Sequence, residues 1–177
     1  MGAKIWYTTS TLGGMKAMLL QRIEYVNWLD EFREKKLVKV LTGLRRSGKS
    51  TILEMYIDRL MATGVPQDQI ISINFEKLEF QPLLDPMKLH EKILSCLQPG
   101  KTHYVFLDEI QLVPQYEKVV DSLYVRHGID LCITGSTADL LSSEIATRLT
   151  GRYVEINVLP FSFKEYMEGR GGAGEST

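Results

Sequence analysis

Leu37-Val38-Lys39-Val40-Leu41-Thr42-Gly43-Leu44-Arg45-Arg46-Ser47-Gly48-Lys49-Ser50 is a short apolar strand pattern that runs directly into a glycine-framed polar loop. The segment from Gly43 to Ser50 fits G-x-x-x-x-G-K-[ST] at every position. Ile52, Leu53, Tyr56, Ile57 and Leu60 then mark one face of a helix that Gly64 can end. Strand, loop and helix in that order are the context in which this pattern cradles phosphate. Glycine lets the backbone curl until successive N–H groups of Gly43, Leu44, Arg45, Arg46, Ser47 and Gly48 point inward as an anion nest. The helix that opens with Lys49, Ser50 and Thr51 adds its positive end. Lys49 is expected to reach the β- and γ-phosphates of a nucleotide, and the Ser50 hydroxyl to ligate Mg²⁺. Arg45 and Arg46 are counted with the loop, although a solvated loop tip accounts for them more simply.

Outward from this loop the chain alternates helical and β-rich runs. Leu19, Ile23, Val26, Leu29 and Phe32 recur at helical spacing ahead of the strand. Ile70 to Phe75 reads as a second strand. Asp85 and Pro86 look like the cap and first turn of a helix carrying Met87, Ile93, Leu94 and Leu97. His103 to Leu107 is a third strand, apolar enough to be buried on both faces. Tyr116, Val119, Val120 and Leu123 stripe a helix that ends at Gly128. Asp130 to Thr134 is a fourth strand, a helical stretch with Leu141, Ile145 and Leu149 follows, and Tyr153 to Val158 is a fifth. Five strands with helical crossovers make a doubly wound parallel α/β sheet with right-handed connections.

The third strand delivers two adjacent carboxylates, Asp108 and Glu109, to its C-terminal edge, where open α/β sheets bind ligands. The interval from Lys49 leaves room for one helix, one strand and another helix. In that position Asp108 suits Mg²⁺, directly or through water. Glu109, one residue further, can take a proton from water as a general base. A base beside the metal carboxylate suits hydrolysis. No N-K-x-D guanine-reading motif follows a later strand, and no acceptor site or mobile lid of a small-molecule kinase is evident. Thr134-Gly135-Ser136 places hydroxyls at the same edge, so Ser136 or Thr134 could bond the attacking water or the γ-phosphate. A turn of small polar residues explains them equally well. Arg148 and Arg152 bracket Leu149-Thr150-Gly151 before the fifth strand. They suit a transferring phosphoryl group, in cis or from a neighbouring subunit, or simply a helix C-terminus.

Composition agrees with a single globular domain. The chain has 177 residues, of which 44% are hydrophobic and 24% charged, and its net charge is −1. At this length folding buries roughly 70% of the surface exposed by the unfolded chain. Near-neutral charge argues against a basic nucleic-acid coat. Cys96 and Cys132 fit no metal or redox spacing and read as small residues of a reduced, cytoplasmic protein. His90, His103 and His127 are isolated and read as surface or strand-end residues. No apolar run reaches the roughly 18 residues of a membrane span. Residues 1–17 carry neither the helical periodicity of the fold nor a signal-peptide core, and read as a leader, with Met15 or Met18 as a natural start. Residues 18–168 form the domain, and the Gly-rich 169–177 reads as a flexible tail at a truncation point.

Taken together, Leu41 to Ser50 with its double arginine, Leu107-Asp108-Glu109-Ile110-Gln111, Ile133-Thr134-Gly135-Ser136, Thr147-Arg148-Leu149-Thr150-Gly151-Arg152 and Leu159-Pro160-Phe161-Ser162-Phe163 resemble a prokaryotic AAA+-like ATPase family close to archaeal-type ATPases. The resemblance spans about residues 18–168. It implies a P-loop NTPase three-layer sandwich with a five-stranded sheet in the order 5-1-4-3-2. It makes Asp108 and Glu109 the Walker B pair, puts Ser136 near the sensor-1 position, and makes Arg148 and Arg152 candidate arginine fingers of a homo-oligomer. It also puts Arg22 at the edge of the adenine pocket. Members of that family usually continue into a helical lid or winged helix and a nuclease-like C-terminal domain, whereas this sequence stops at the Gly-rich tail and so reads either as a fragment or as a chain without the lid.

The expected activity is binding of ATP with Mg²⁺ and hydrolysis in an intact oligomer. The expected catalytic set is Lys49, Glu109, Ser136, Arg148 and Arg152, with Ser50 and Asp108 on the metal. A nucleotide-gated binding module with a DNA or protein partner and negligible turnover is the alternative, and a small-molecule kinase a weaker one.

Overall fold

The computed structural model describes residues 22–136, 140 and 150–160. Chain order is α1 (Ile23–Glu31), β1 (Val38–Thr42), α2 (Lys49–Ala62), β2 (Ile70–Asn74), α3 (Pro86–Cys96), β3 (His103–Asp108), α4 (Tyr116–Tyr124), β4 (Ile129–Thr134) and β5 (Tyr153–Asn157). The expected leader, Leu19, the helix through Leu141, Ile145 and Leu149, and the Gly-rich tail lie outside the described residues.

All five strands are parallel and stand in the order β2-β3-β4-β1-β5. This is the expected 5-1-4-3-2 read from the other edge. Side chains alternate between the faces, so each strand feeds two cores. Val38, Val40, Ile71, Ile73, Val105, Leu107, Leu131 and Ile133 pack with Leu89 and Ile93 of α3 and Val119, Val120 and Leu123 of α4. Leu41, Tyr104, Phe106 and Cys132 pack with Val26 and Leu29 of α1 and the Ile52, Leu53, Tyr56, Ile57 and Leu60 stripe of α2. Emptying one of these Leu positions to Ala removes about 2–5 kcal/mol. Asp85 caps α3 as expected, its carboxylate accepting from the N–H groups of Met87 and Lys88.

Three details go beyond the sequence pattern. The stretch Leu78–Leu84 forms 3-10 turns with Pro82 inside. His103 opens β3, the strand-end place the sequence offered, and is buried there rather than at the surface. Its Nε2 accepts from the Gln98 N–H, and burial pushes its pKa below the ordinary value. Lys39 and Asp130 face each other as a wholly buried ion pair between β1 and β4. Asp130 also accepts from the Glu34 N–H, and Lys39 donates to the Phe32 carbonyl, so the pair fastens the turn after α1 to the sheet.

Candidate functional site

Parallel strands align their C-terminal ends, which brings the loop after β1, the end of β3 and the end of β4 to one sheet edge. A cleft of about 450 Å³ opens there, lined by Arg45, Arg46, Gly48, Lys49, Ser50, Thr51, Glu76 and Glu109. The loop from Gly43 to Gly48 is tightly curled. Gly43 has φ +146°, and a Cβ there would meet the Val158 carbonyl oxygen at 2.4 Å. Arg46 and Gly48 also adopt the left-handed region. α2 starts at Lys49, so the N–H groups of its first turn, which include those of Ser50 and Thr51, have no carbonyl partner within the helix. An anion seated above them meets a positive helix end.

Inside the curl the Lys49 ammonium is buried, donating to the carbonyls of Gly43 and Leu44 at 3.3 and 3.2 Å. Glu109 Oε1 stands 3.5 Å from it. Glu109 takes a left-handed backbone, φ 58°, and its N–H donates to Thr134 Oγ1 at 3.0 Å. That turn carries the Glu109 side chain back over the loop. Gln111, two residues on in the 3-10 turn Ile110–Leu112, donates its Nε2 to Glu109 Oε2 at 2.6 Å.

Asp108 is buried beneath them. Thr134 Oγ1 donates to Oδ1, Asn74 Nδ2 donates to Oδ2 at 2.7 Å, and the Ser50 hydroxyl adds a further bond. Burial raises the Asp108 pKa, against the opposing pull of Thr134 and Ser50; Glu109 raises it further and Lys49 lowers it. A desolvated carboxylate beside a hydroxyl is an all-oxygen donor set, which suits a hard divalent cation such as Mg²⁺ completed by phosphate oxygens and water. Among the described residues no group of three or more His, Cys, Asp or Glu side chains could hold a metal unaided.

The structure therefore brings together Lys49, Ser50, Thr51, Asp108 and Glu109. Arg45 is exposed at the rim and pairs with Glu76 at 3.2 Å. Ser136 follows β4, but it is Thr134 that bonds both Asp108 and the Glu109 backbone. Arg148 lies outside the described residues. Arg152 stands at the other end of the sheet: its carbonyl accepts from Val38 N–H at the start of β1. The length of β1, about 13 Å, separates that point from the loop. Its guanidinium pairs with Asp121 at 3.6 Å and lies over the Tyr124 ring. Arg22 is buried, donating to the Ser47 carbonyl in the loop and to the Leu159 carbonyl at 2.6 Å beyond β5. It ties loop backbone to sheet.

Sequence reasoning passed over Asn74 and the link from Gln111 to Glu109. The register explains Asn74, which lies opposite Asp108 only because β2 pairs with β3. The signal for Gln111 was its spacing, two residues past Glu109, in a turn too short to carry it away.

The sequence model of the AAA domain family matches residues 35–167. An uncharacterized protein of Haemophilus influenzae is 40% identical over 157 residues, which is 88% of this chain and 39% of that protein. An uncharacterized protein of Methanocaldococcus jannaschii is 38% identical over 132 residues, 74% of this chain and 28% of that one. The chain thus spans well under half the length of these relatives. Among solved structures, Caenorhabditis elegans PCH-2 is similar with a TM-score of 0.52 at 16% identity, over 85% of this chain and 45% of that one. Saccharomyces cerevisiae RIF2 is similar with a TM-score of 0.51 at 12% identity, over 87% and 61%. At such identities these two likenesses concern the fold.

Proposed function

We propose that this chain, which belongs to the AAA domain family and is a P-loop ATPase-like domain, binds ATP with Mg²⁺ in the cleft above Lys49 and hydrolyses it to ADP and phosphate within an intact oligomer. The observation that supports this most is the joint placement of the Lys49 ammonium, the Asp108–Ser50 oxygen pair and the Glu109 carboxylate around one opening.

Lys49 leaves the carbonyls of Gly43 and Leu44 for the β- and γ-phosphate oxygens. Its departure frees Glu109 Oε1, which accepts a proton from the attacking water. The water oxygen bonds the γ-phosphorus as the bond to the β–γ bridging oxygen breaks, and that oxygen leaves on ADP. Mg²⁺, held near Ser50 and Asp108, would neutralise charge on the phosphoryl oxygens. Thr134 fixes Asp108 and the Glu109 backbone, and Ser136 stands nearby as a candidate contact to water or phosphate.

Arg152 faces away from the cleft of its own chain, so we assign it, with Arg148, to the site of a neighbouring copy. The greater length of the relatives is consistent with a full-length protein that carries a further, nuclease-like domain of the archaeal-type kind and a DNA or protein partner. Among the described residues no helix is long and apolar enough to cross a membrane, and we place the protein in the cytoplasm.

Phosphate release from ATP by the full-length protein, abolished by Glu109→Gln, tests the reading. A nucleotide-gated binding module is the second reading. It is favoured by one observation, that both oxygens of Glu109 are engaged, and phosphate release decides between the two.

A further inference from the structure

We infer that Gln111 is the positioning residue of Glu109, and that Gly135 sets Gln111 in place. This rests on the hydrolytic reading of the site and adds to it a residue and a physical chain.

Glu109 has two oxygens with different partners. Oε1 faces Lys49, a cation that a phosphate would draw away, and Oε2 accepts from Gln111 Nε2 at 2.6 Å. When Lys49 leaves, Gln111 is the partner that keeps the carboxylate aimed. A side-chain amide suits this task. It donates strongly, carries no charge that would compete for the γ-phosphate, and takes up no proton. One oxygen then serves as the base while the other is the anchor.

The far side of the amide explains why Gln111 stays where it is. Its Oε1 is buried and accepts no hydrogen bond among the described residues. That atom lies against Gly135, where an added Cβ would come to 2.4 Å from it and to 2.7 Å from Leu140. Gly135 follows Thr134, which bonds both Asp108 and the Glu109 N–H. The end of β4 therefore holds the base twice, through backbone by Thr134 and through side chain by Gly135 and Gln111. The absence of a Cβ at position 135 is what leaves Gln111 room to reach Glu109.

The test uses the full-length protein and three variants: Gln111→Met, Gly135→Ala and the two combined. Gln111→Met keeps bulk and removes the donor. ATP affinity, read with a fluorescent ATP analogue, should stay within about twofold, because neither residue touches the nucleotide. Single-turnover phosphate release should fall by about 100-fold in Gln111→Met, the scale of a misplaced catalytic group. Gly135→Ala should also slow it, and the double variant should be no slower than Gln111→Met, since both act through one link. Melting temperatures separate this from loss of fold. A second readout needs no turnover: in the nucleotide-free protein one Gln111 side-chain N–H should be shifted downfield and protected from solvent exchange, and Glu109→Ala should abolish both features.

Wild-type turnover in Gln111→Met, or an unprotected amide, overturns the inference. So do effects that multiply in the double variant. A protein that binds ATP and releases no phosphate overturns the hydrolytic reading instead, and the amide signal still decides whether Gln111 anchors Glu109.

Discussion

Lys49 Nζ and Glu109 Oε1 stand 3.5 Å apart, with the ammonium also held by the carbonyls of Gly43 and Leu44. Under the proposed reading, the cation that would hold phosphate is paired with the carboxylate that would take a proton from water. A γ-phosphate that drew Lys49 away would then free Glu109 in the same movement, so that filling the site and arming the base would be one event.

Lys49→Ala should weaken ATP binding, because charged hydrogen bonds to the β- and γ-phosphates disappear. A hydrogen bond to a charged group contributes about 1.5–3 kcal/mol, so the Kd should rise about 10- to 150-fold. Titration with a fluorescent ATP analogue checks this, and an unchanged Kd would remove Lys49 from the site.

Asp108→Asn should separate stability from function. Burial raises the Asp108 pKa in the folded chain. The folded state then holds a proton that the unfolded state releases, so this group's contribution falls as pH rises from the ordinary carboxylate range through the raised folded value. The cost is fully present above that value. Nucleotide-free Asp108→Asn lacks this titration, so its melting temperature relative to that of wild type should rise from pH ~4 to neutral pH, whatever the loss of one acceptor for Thr134 or Asn74 costs it at every pH. The same variant should lose the Mg²⁺ dependence of ATP binding. A relative melting temperature that falls over that range would contradict the assignment.

Asp130→Ala should be among the most damaging changes remote from the cleft. It strands the buried Lys39 ammonium, a loss of about 3–5 kcal/mol. Replacing both partners with apolar residues, Lys39→Met with Asp130→Leu, should restore most of the stability, because no buried charge is then left unpaired. Denaturant midpoints of the single and double variants decide it.

How much of this was legible in the sequence depends on whether a feature is local. The curl of the loop follows from Gly43 and Gly48, and the order of strands and helices follows from apolar period; both were readable before any fold was known. Asn74 was not. It is an unremarkable polar end to β2 until strand order puts it opposite Asp108. Lys39 and Asp130 carry no signal of partnership in the sequence, because only pairing of β1 with β4 makes each the answer to the other's charge. Ser136 and Thr134 differ by two residues on one strand end. Spacing alone could not rank them, whereas packing against Asp108 selects Thr134 for the carboxylates. The burial of His103 was hidden for a related reason: the backbone that receives its ring, at Gln98, comes from a loop with no periodic signal.

Arg152 provides a test of assembly. Arg152 stands at the opposite sheet end from its own cleft, so under the proposed assembly the phosphate it meets would belong to another copy. Arg152→Ala in the full-length protein should lower turnover by about 10³-fold. Mixing it with inactive Lys49→Ala subunits should recover part of the activity, because each supplies what the other lacks. Activity per subunit that is flat with concentration, and a mixture that stays silent, would confine Arg152 to its pair with Asp121.

The role given to Glu109 is decided by identifying the nucleotide that remains bound after full-length wild type and Glu109→Gln are each incubated with ATP and Mg²⁺ and separated from free ligand. Wild type should carry ADP and have released phosphate, while Glu109→Gln should carry intact ATP at the same occupancy. Conversion of ATP to ADP by Glu109→Gln at the wild-type rate would contradict the account, and so would the absence of bound nucleotide in both.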